Sequence, residues 1–529
     1  MLLLFNICIK ILQFQGFITI FALVYIIYSM GLKSILAKPY AKILSNKIER
    51  DSNSAIKDQE DIRKKLIEKA KNTVFGQDHN FKNIRTYEDF KKNIPIRDYE
   101  ELSSYIKKLR KNESDILWPG LPAYFAKTSG TTSGAKFIPI TKDSISNHIN
   151  GAKYALLNYI QETGNSKFTD GKMIFLSGSP ELEKEGDILT GRLSGIVNHH
   201  VPGYLRTNQL PSYETNCIED WEEKLAKIID ETEYENMTLI SGIPPWIQMY
   251  FDWLIERHPG KKIKDIFPNL SIIVYGGVNF EPYRKKLFES IGKEIDTVET
   301  YPASEGFFAY QDKQKDNGLL LNTNSGIFFE FVPLEEFFED NPRRISLKDV
   351  ELGVNYALII NSNAGLWGYS IGDTIKFIDK NPYRILVTGR VKHFISAFGE
   401  HVIGEEVEKA MNKTLEKHPA IITEFTVAPY VETPEGILPH HEWYIEFVEE
   451  PENLDAFAAS LDKELRALNE YYDDLIGGSI LSPLKIKLLE AKAFQNYMKS
   501  LGKLGGQNKA PRLSNDRKVA EVLQKFLLK

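Results

Sequence analysis

Cysteine is scarce: Cys8 and Cys217 are the only two in 529 residues. That scarcity excludes a disulfide framework and a cysteine-rich zinc site, and it fits a reducing compartment. Dense basic blocks are missing too, and the formal net charge is −6. A general nucleic-acid binder neutralises phosphates with clustered Lys and Arg, so no nucleic-acid partner is expected. Stretches such as Lys107-Lys108-Leu109-Arg110-Lys111 read as solvated helix faces. There is no Walker A loop: three residues separate Gly130 from Gly134, Ala135 intervenes before Lys136, and Phe137 follows it. His199-His200 and His440-His441 lack a third spaced ligand, so supporting roles outweigh a metal site. Ser177 and Ser304 stand in no nucleophile-elbow sequence, which removes the serine hydrolases.

One long apolar run is present. Residues 1–29 carry Lys10 as their only charged side chain, close to the lower limit for a membrane span, with no small-residue cleavage site. The expectation is that translation begins at Met30, where Gly31-Leu32-Lys33-Ser34 opens an amphipathic basic helix. The protein is then cytoplasmic, and a membrane partner follows only if residues 1–29 are genuine.

The length allows two or more domains of ordinary globular composition. Residues 30–115 read mainly as helices forming a surface layer, as in Ile62-Arg63-Lys64-Lys65-Leu66-Ile67-Glu68-Lys69-Ala70. From about 120 to 390, apolar runs ending in small residues alternate with helical stretches. Examples are Met173-Ile174-Phe175-Leu176-Ser177-Gly178, Leu239-Ile240-Ser241-Gly242, Ile272-Ile273-Val274-Tyr275-Gly276-Gly277 and Thr297-Val298-Glu299-Thr300-Tyr301. Continuous apolar strands followed by Gly/Ser turns predict helix-covered sheets with a ligand crevice at the strand carboxyl ends. Beyond about 390 the pattern is a helix over 405–417, strands near 423–428 and 443–448, and a long helix over 453–472. The fold expected is α/β. A large N-terminal domain of helix-covered β-sheets spans 30–391, and a smaller mobile α+β C-terminal domain spans 392–529. Val387-Thr388-Gly389-Arg390-Val391-Lys392 is the candidate hinge.

Four segments carry chemistry. Thr128-Ser129-Gly130-Thr131-Thr132-Ser133-Gly134-Ala135-Lys136 packs hydroxyls, glycines and a lysine into nine residues. Glycines let backbone N–H groups approach an anion, hydroxyls donate, and Lys136 supplies charge, although a polar turn explains the run equally well. In Thr300-Tyr301-Pro302-Ala303-Ser304-Glu305-Gly306, Tyr301 can stack on a base and Glu305 can hold a Mg²⁺ bridging phosphates; a surface turn is the plain alternative. Tyr369-Ser370-Ile371-Gly372-Asp373 sets a carboxylate at the start of a strand over 374–378, where it can accept ribose hydroxyls or cap a turn. Gly389-Arg390 precedes Gly399-Glu400-His401-Val402-Ile403 and Glu405-Glu406-Val407.

In this order the segments resemble the adenylate-forming superfamily of acyl-CoA synthetases, peptide-synthetase adenylation domains and luciferases. Within it the chain looks most like the auxin-responsive acyl-acid amido synthetases first described in plants, and especially their bacterial relatives. The likeness runs from Met30 to the C-terminus and includes Tyr124-Phe125-Ala126-Lys127 and Asn508-Lys509-Ala510-Pro511-Arg512. Ser370 stands where the superfamily often has arginine, and Ala303 where plant members often have serine; neither change removes a carboxylate.

The resemblance implies ATP and Mg²⁺, small carboxylic-acid and amino-acid substrates, and a monomer. Ser129, Gly130, Thr131, Thr132, Gly134, Tyr301, Ala303, Ser304, Asp373 and Arg390 would hold the nucleotide, with Arg390 on ribose. Glu305 would hold the metal, Lys136 and Lys509 would reach the phosphates, with Lys503 the alternative to Lys509, and Lys392 would be the pivot. The acid becomes an acyl-adenylate and passes to an amine; transfer to CoA is the alternative. Tyr154, Leu157, Trp246 and Phe280 are candidates for the acyl pocket, or simple core.

Overall fold

The computed structural model describes residues 31–528 apart from 129–135, 202–205, 278–279, 317, 392–393, 396–399, 401, 432, 434–436, 478–479, 505–509 and 515. Among the described residues no helix is long and apolar enough to cross a membrane.

The amino-terminal helices form where local chemistry asks for them. Thr86 and Asp98 cap the helices Tyr87–Asn93 and Tyr99–Arg110, and in each case the acid three residues on returns a bond to the cap's backbone. Such reciprocal caps satisfy donors that the first helical turn leaves open. The helix Ala55–Ala70 turns Ile62, Leu66, Ile67 and Ala70 inward. The expected surface layer therefore has one face in the main core, where Ile62, Leu66, Phe90 and Leu102 join the strand residues Phe328 and Phe329. Gln59 ties it to the sheet: its Nε2 donates to the carbonyls of Thr323 and Ile327 at 2.8 Å each, and its Oε1 accepts from the Phe329 N–H at 2.8 Å.

A twelve-stranded sheet runs through the large domain. At one end Gln209–Leu210, Lys172–Phe175, Met237–Ser241, Ile272–Gly276 and Asp296–Ala303 are mutually parallel. From Asp296–Ala303 onward, through Gly306–Tyr310, Leu319–Leu321, Tyr383–Arg390, Tyr369–Lys380, Asn355–Ser362, Ile327–Pro333 and Ile345–Ser346, every pairing is antiparallel. The apolar runs read from the sequence are the parallel half, buried on both faces as such strands must be. A four-stranded sheet holds Tyr124–Thr128 antiparallel to Lys136–Ile140. The small domain packs Gly404–Lys417 and Leu454–Leu468 against a three-stranded sheet of Ile421–Tyr430, His440–Glu449 and Lys485–Leu489. The long helix expected over 453–472 is broken at Asn469, whose side chain accepts from the Tyr472 N–H at 2.8 Å as the next helix, Glu470–Gly477, begins.

A buried ion pair clamps the antiparallel half to the helices. Arg344 donates to Glu330 at 2.6 and 3.1 Å, and Asn361 and Tyr87 donate to the same carboxylate at 2.8 and 3.0 Å. Glu330 is fully buried and Arg344 nearly so. Breaking one member of such a pair strands the other charge, so Arg344→Met should cost about 3–5 kcal/mol. Lys313→Ala, which breaks a more exposed pair with Glu162, should cost about 0–1 kcal/mol. Urea unfolding of the large domain followed by tryptophan fluorescence checks both; equal losses would remove the special role of the buried pair.

Candidate functional site

The strand Asp296–Ala303 is the seam of the large sheet, parallel to Ile272–Gly276 on one side and antiparallel to Gly306–Tyr310 on the other. Open α/β sheets offer ligands a crevice at the carboxyl ends of strands where the order of the sheet changes. Ala303, Ser304 and Glu305 form the turn at that end.

Asp373 faces the seam from the next arm of the chain. It lies inside the strand Tyr369–Lys380, correcting the expectation that it sits where a strand begins, and is paired across the sheet with Arg390. Arg390 Nε stands 3.3 Å from Asp373 Oδ1, and Arg390 Nη2 donates to the Ile371 carbonyl at 2.9 Å. Gly372 suits this place because its φ is +81°, and an added Cβ would also stand 3.2 Å from Arg390 Nη2, which would have to shift slightly. Tyr301 donates its hydroxyl to Asp373 Oδ2 at 2.8 Å. Its ring is 5% exposed and sits edge-on to Phe308, so the structure assigns Tyr301 a use that the sequence did not disclose. Burial, then the Asp373 charge, push the Tyr301 phenol well above its ordinary value, which keeps it a donor.

Glu305 completes the group. The buried Tyr369 donates to its Oε1 at 3.3 Å. Burial raises the Glu305 pKa; the charges of Lys136 and Arg390 oppose that rise and the Asp373 charge adds to it. Lys136, Asp373 and Arg390 are thus each near enough to act on Glu305. Lys136 opens the strand Lys136–Ile140, directly opposite Thr128, so the hairpin brings both ends of the Ser/Thr/Gly loop to the site. Its Nζ lies 5.6 Å from the centre of the Tyr99 ring, and the Tyr99 hydroxyl accepts from the Phe137 N–H at 2.9 Å. Tyr99 and Tyr369 were missed as site residues. Tyr369 had a signal, since it opens the segment that ends in Asp373; Tyr99 had none, lying in a remote amphipathic helix.

Ser129, Gly130, Thr131, Thr132, Gly134, Lys392 and Lys509 lie outside the described residues. Of the candidate hinge, Val387 to Arg390 prove to be the end of the strand Tyr383–Arg390. Trp246 packs on Trp221 with ring centroids 4.7 Å apart, and Phe280 stacks on Tyr275 at 4.6 Å, so both are core. Leu157 is core as well, and Tyr154 lines a small cavity with Asp51 and Tyr310. The histidine pairs do supporting work: His441 is bonded to the buried Glu400 at 2.9 Å, and His200 to the Tyr124 hydroxyl at 3.1 Å. Among the described residues no three His, Cys, Asp or Glu side chains are grouped to hold a metal. Glu305 is the candidate that remains: it is partly exposed, its Oε1 accepts a 3.3 Å bond from Tyr369, and burial holds its carboxyl above the ordinary range.

Three family models match the chain: the GH3 family N-terminal domain over residues 44–226, the central domain over 320–390 and the C-terminal domain over 405–518. Among curated relatives, the indole-3-acetic acid-amido synthetase GH3.15 of Arabidopsis thaliana is 22% identical, over 83% of this chain and 87% of that protein. The jasmonoyl-L-amino acid synthetase GH3.5 of Oryza sativa subsp. japonica is also 22% identical, over 91% and 96%. The solved AtGH3.15 acyl acid amido synthetase in complex with 2,4-DB superposes with a TM-score of 0.76 at 18% identity, over 92% of this chain and 96% of that one. A 2-hydroxyisobutyryl-CoA ligase in the postadenylation state gives 0.59 at 12% identity, over 90% and 92%. The fold is therefore that of acyl acid amido synthetases and, more distantly, of adenylate-forming CoA ligases. With the three domain models following one another along most of its length, the chain belongs to the GH3 family.

Proposed function

We propose that this chain activates a small carboxylic acid with ATP and passes the acyl group to the amine of an amino acid. One observation carries the reading: Lys136, Glu305, Asp373 and Arg390, from four separated segments, converge at the carboxyl end of the seam strand. The names of the GH3 relatives, amido synthetases of indole-3-acetic and jasmonic acids, support an amino-acid acceptor over CoA.

In the first step a carboxylate oxygen attacks the α-phosphorus, an acyl-adenylate forms, and pyrophosphate leaves. In the second the amine nitrogen attacks the acyl carbon, sheds its proton, and AMP leaves. Catalysis of the first step is largely positioning and charge neutralisation. Asp373 still has free lone pairs after bonding Tyr301 and Arg390, and accepts the ribose hydroxyls while Arg390 donates to them. Ser129, Thr131 and Thr132 donate to phosphate, Gly130 and Gly134 allow the approach, and Ala303 and Ser304 shape the turn beneath the nucleotide. Lys136 and Lys509 neutralise the departing pyrophosphate. Glu305 would hold Mg²⁺, which when bound would supply further positive charge for the phosphates. The small domain then turns about Lys392, which moves Lys509 and admits the amine while keeping water from the acyl-adenylate.

Pyrophosphate release across a panel of carboxylic acids, repeated with each amino acid and with CoA, tests the reading. Release should depend on the acid, and mass spectrometry should find an amide; a thioester would favour CoA transfer, and no release with any acid would refute acid activation. Lys509→Ala should lower release about a hundredfold while ATP binding stays near normal.

Glu305 gives a second test with a worked sign. Unfolded, it ionises at the ordinary carboxylate value; folded, it does so at a higher pH. Between the two values the folded state keeps a proton that the unfolded state has lost, so stability falls as pH rises through that window. Glu305→Gln should therefore melt above the parent at neutral pH, with the gap closing at acid pH, while pyrophosphate release falls about a hundredfold. A variant that melts below the parent at neutral pH would contradict the burial argument.

A further inference from the structure

The two domains meet through a buried polar cluster for which the reaction steps above have no use. Tyr283, on the helix Glu281–Ile291 of the large domain, is 5% exposed. Its hydroxyl donates to Glu424 Oε2 at 2.6 Å, and Glu424 lies on the strand Ile421–Tyr430 of the small domain. The same hydroxyl oxygen accepts from Arg512 Nη2 at 3.3 Å. Arg512 otherwise looks inward to its own domain. Its Nη1 bonds Glu424 and the Phe425 carbonyl, its Nε bonds Glu408 at 3.1 Å, and its guanidinium lies 4.1 Å from the centre of the Phe425 ring.

The arrangement is lopsided in an informative way. Arg512 bonds Glu424, Glu408 and the Phe425 carbonyl within the small domain, and Tyr283 reaches the same group from the large domain. Burial drives the Tyr283 phenol well above its ordinary value, so the group stays a donor at any working pH. Another polar contact across the boundary, Lys499 to Glu222 at 3.1 Å, is exposed, and pairs of that kind add little. Lys376 to Glu405, also 3.1 Å, sits close in sequence to the junction between the domains. Arg512 follows Lys509 by three residues in the sequence.

We propose that Tyr283 is a positioning residue: its one hydroxyl, shared between Glu424 and Arg512, sets where the small domain stands on the large one. Through Arg512 it sets how often Lys509 is presented to the phosphates. The second part rests on the acid-activation reading of Lys509; the first does not.

The test is Tyr283→Phe in the full chain, which keeps the buried ring and removes the shared oxygen, with Lys499→Ala as the exposed control. Without substrates, amide exchange in peptides from 281–291, 421–430 and 510–514 should quicken roughly tenfold in Tyr283→Phe, the size expected for losing a hydrogen bond to a charged group. Exchange elsewhere should be unchanged, Lys499→Ala should match the parent, and small-angle scattering should show a more extended particle. With an accepted acid, kcat for pyrophosphate release should change while KM for ATP holds. Exchange and scattering identical to the parent overturn the proposal, whatever the enzyme does. Altered exchange with unchanged kcat overturns the link to Lys509. If no acid releases pyrophosphate in the parent, the proposed function falls, and exchange alone decides whether Tyr283 holds the domains.

Discussion

The hydrogen bond from the Tyr301 hydroxyl to Asp373 joins stretches 72 residues apart. It does so at the place where the sheet changes from parallel to antiparallel, so both halves of the large domain are referenced to one contact. Asp373 is gripped on its other side by Arg390, itself the last residue of the strand Tyr383–Arg390. The carboxylate thus ties its own strand to the strand Tyr383–Arg390 beside it and to the seam strand Asp296–Ala303 further along the sheet. Such rigidity means that little conformational freedom is left to lose when a ligand arrives.

Around that fixed point the charges are of two kinds. Asp373 is held by Tyr301 and Arg390. Glu305 accepts a longer bond from Tyr369, and burial raises its pKa. This difference in how firmly the protein's own side chains hold them separates the two carboxylates. It also explains why the buried pair of Glu330 and Arg344, though more deeply enclosed, is structural: its lone pairs are already filled by Asn361 and Tyr87.

What the sequence disclosed follows from where each residue sits. Lys136, Glu305 and Arg390 stand at strand ends or turns, and Asp373 follows a glycine, so spacing and residue type carry information. The strands of the parallel half were legible because burial on both faces leaves unbroken apolar runs. The helices of the amino-terminal layer were legible as helices, but their attachment was not: Gln59 reaches carbonyls more than 260 residues away, and nothing local announces that. Tyr99 and Tyr283 were invisible for the same reason, since each acts across a boundary that exists only after folding. Asp373 was misplaced by a few residues because Gly372 reads as a turn, whereas its positive φ is absorbed within a continuous strand.

The order of strands also bears on how the chain is made. Leu319–Leu321 lies beside Tyr383–Arg390, while the chain between them builds the far edge of the sheet. During synthesis the parallel half, Gly306–Tyr310 and Leu319–Leu321 emerge first, and their open edge stays unpaired until residue 390 leaves the ribosome. An apolar edge waiting for its partner recruits other nascent chains as readily as its own. The late pairing of Leu319–Leu321 with Tyr383–Arg390 thus exposes an adhesive half-sheet during translation, and shortening that delay is the gain to be had from a chaperone or a slower, cooler expression regime.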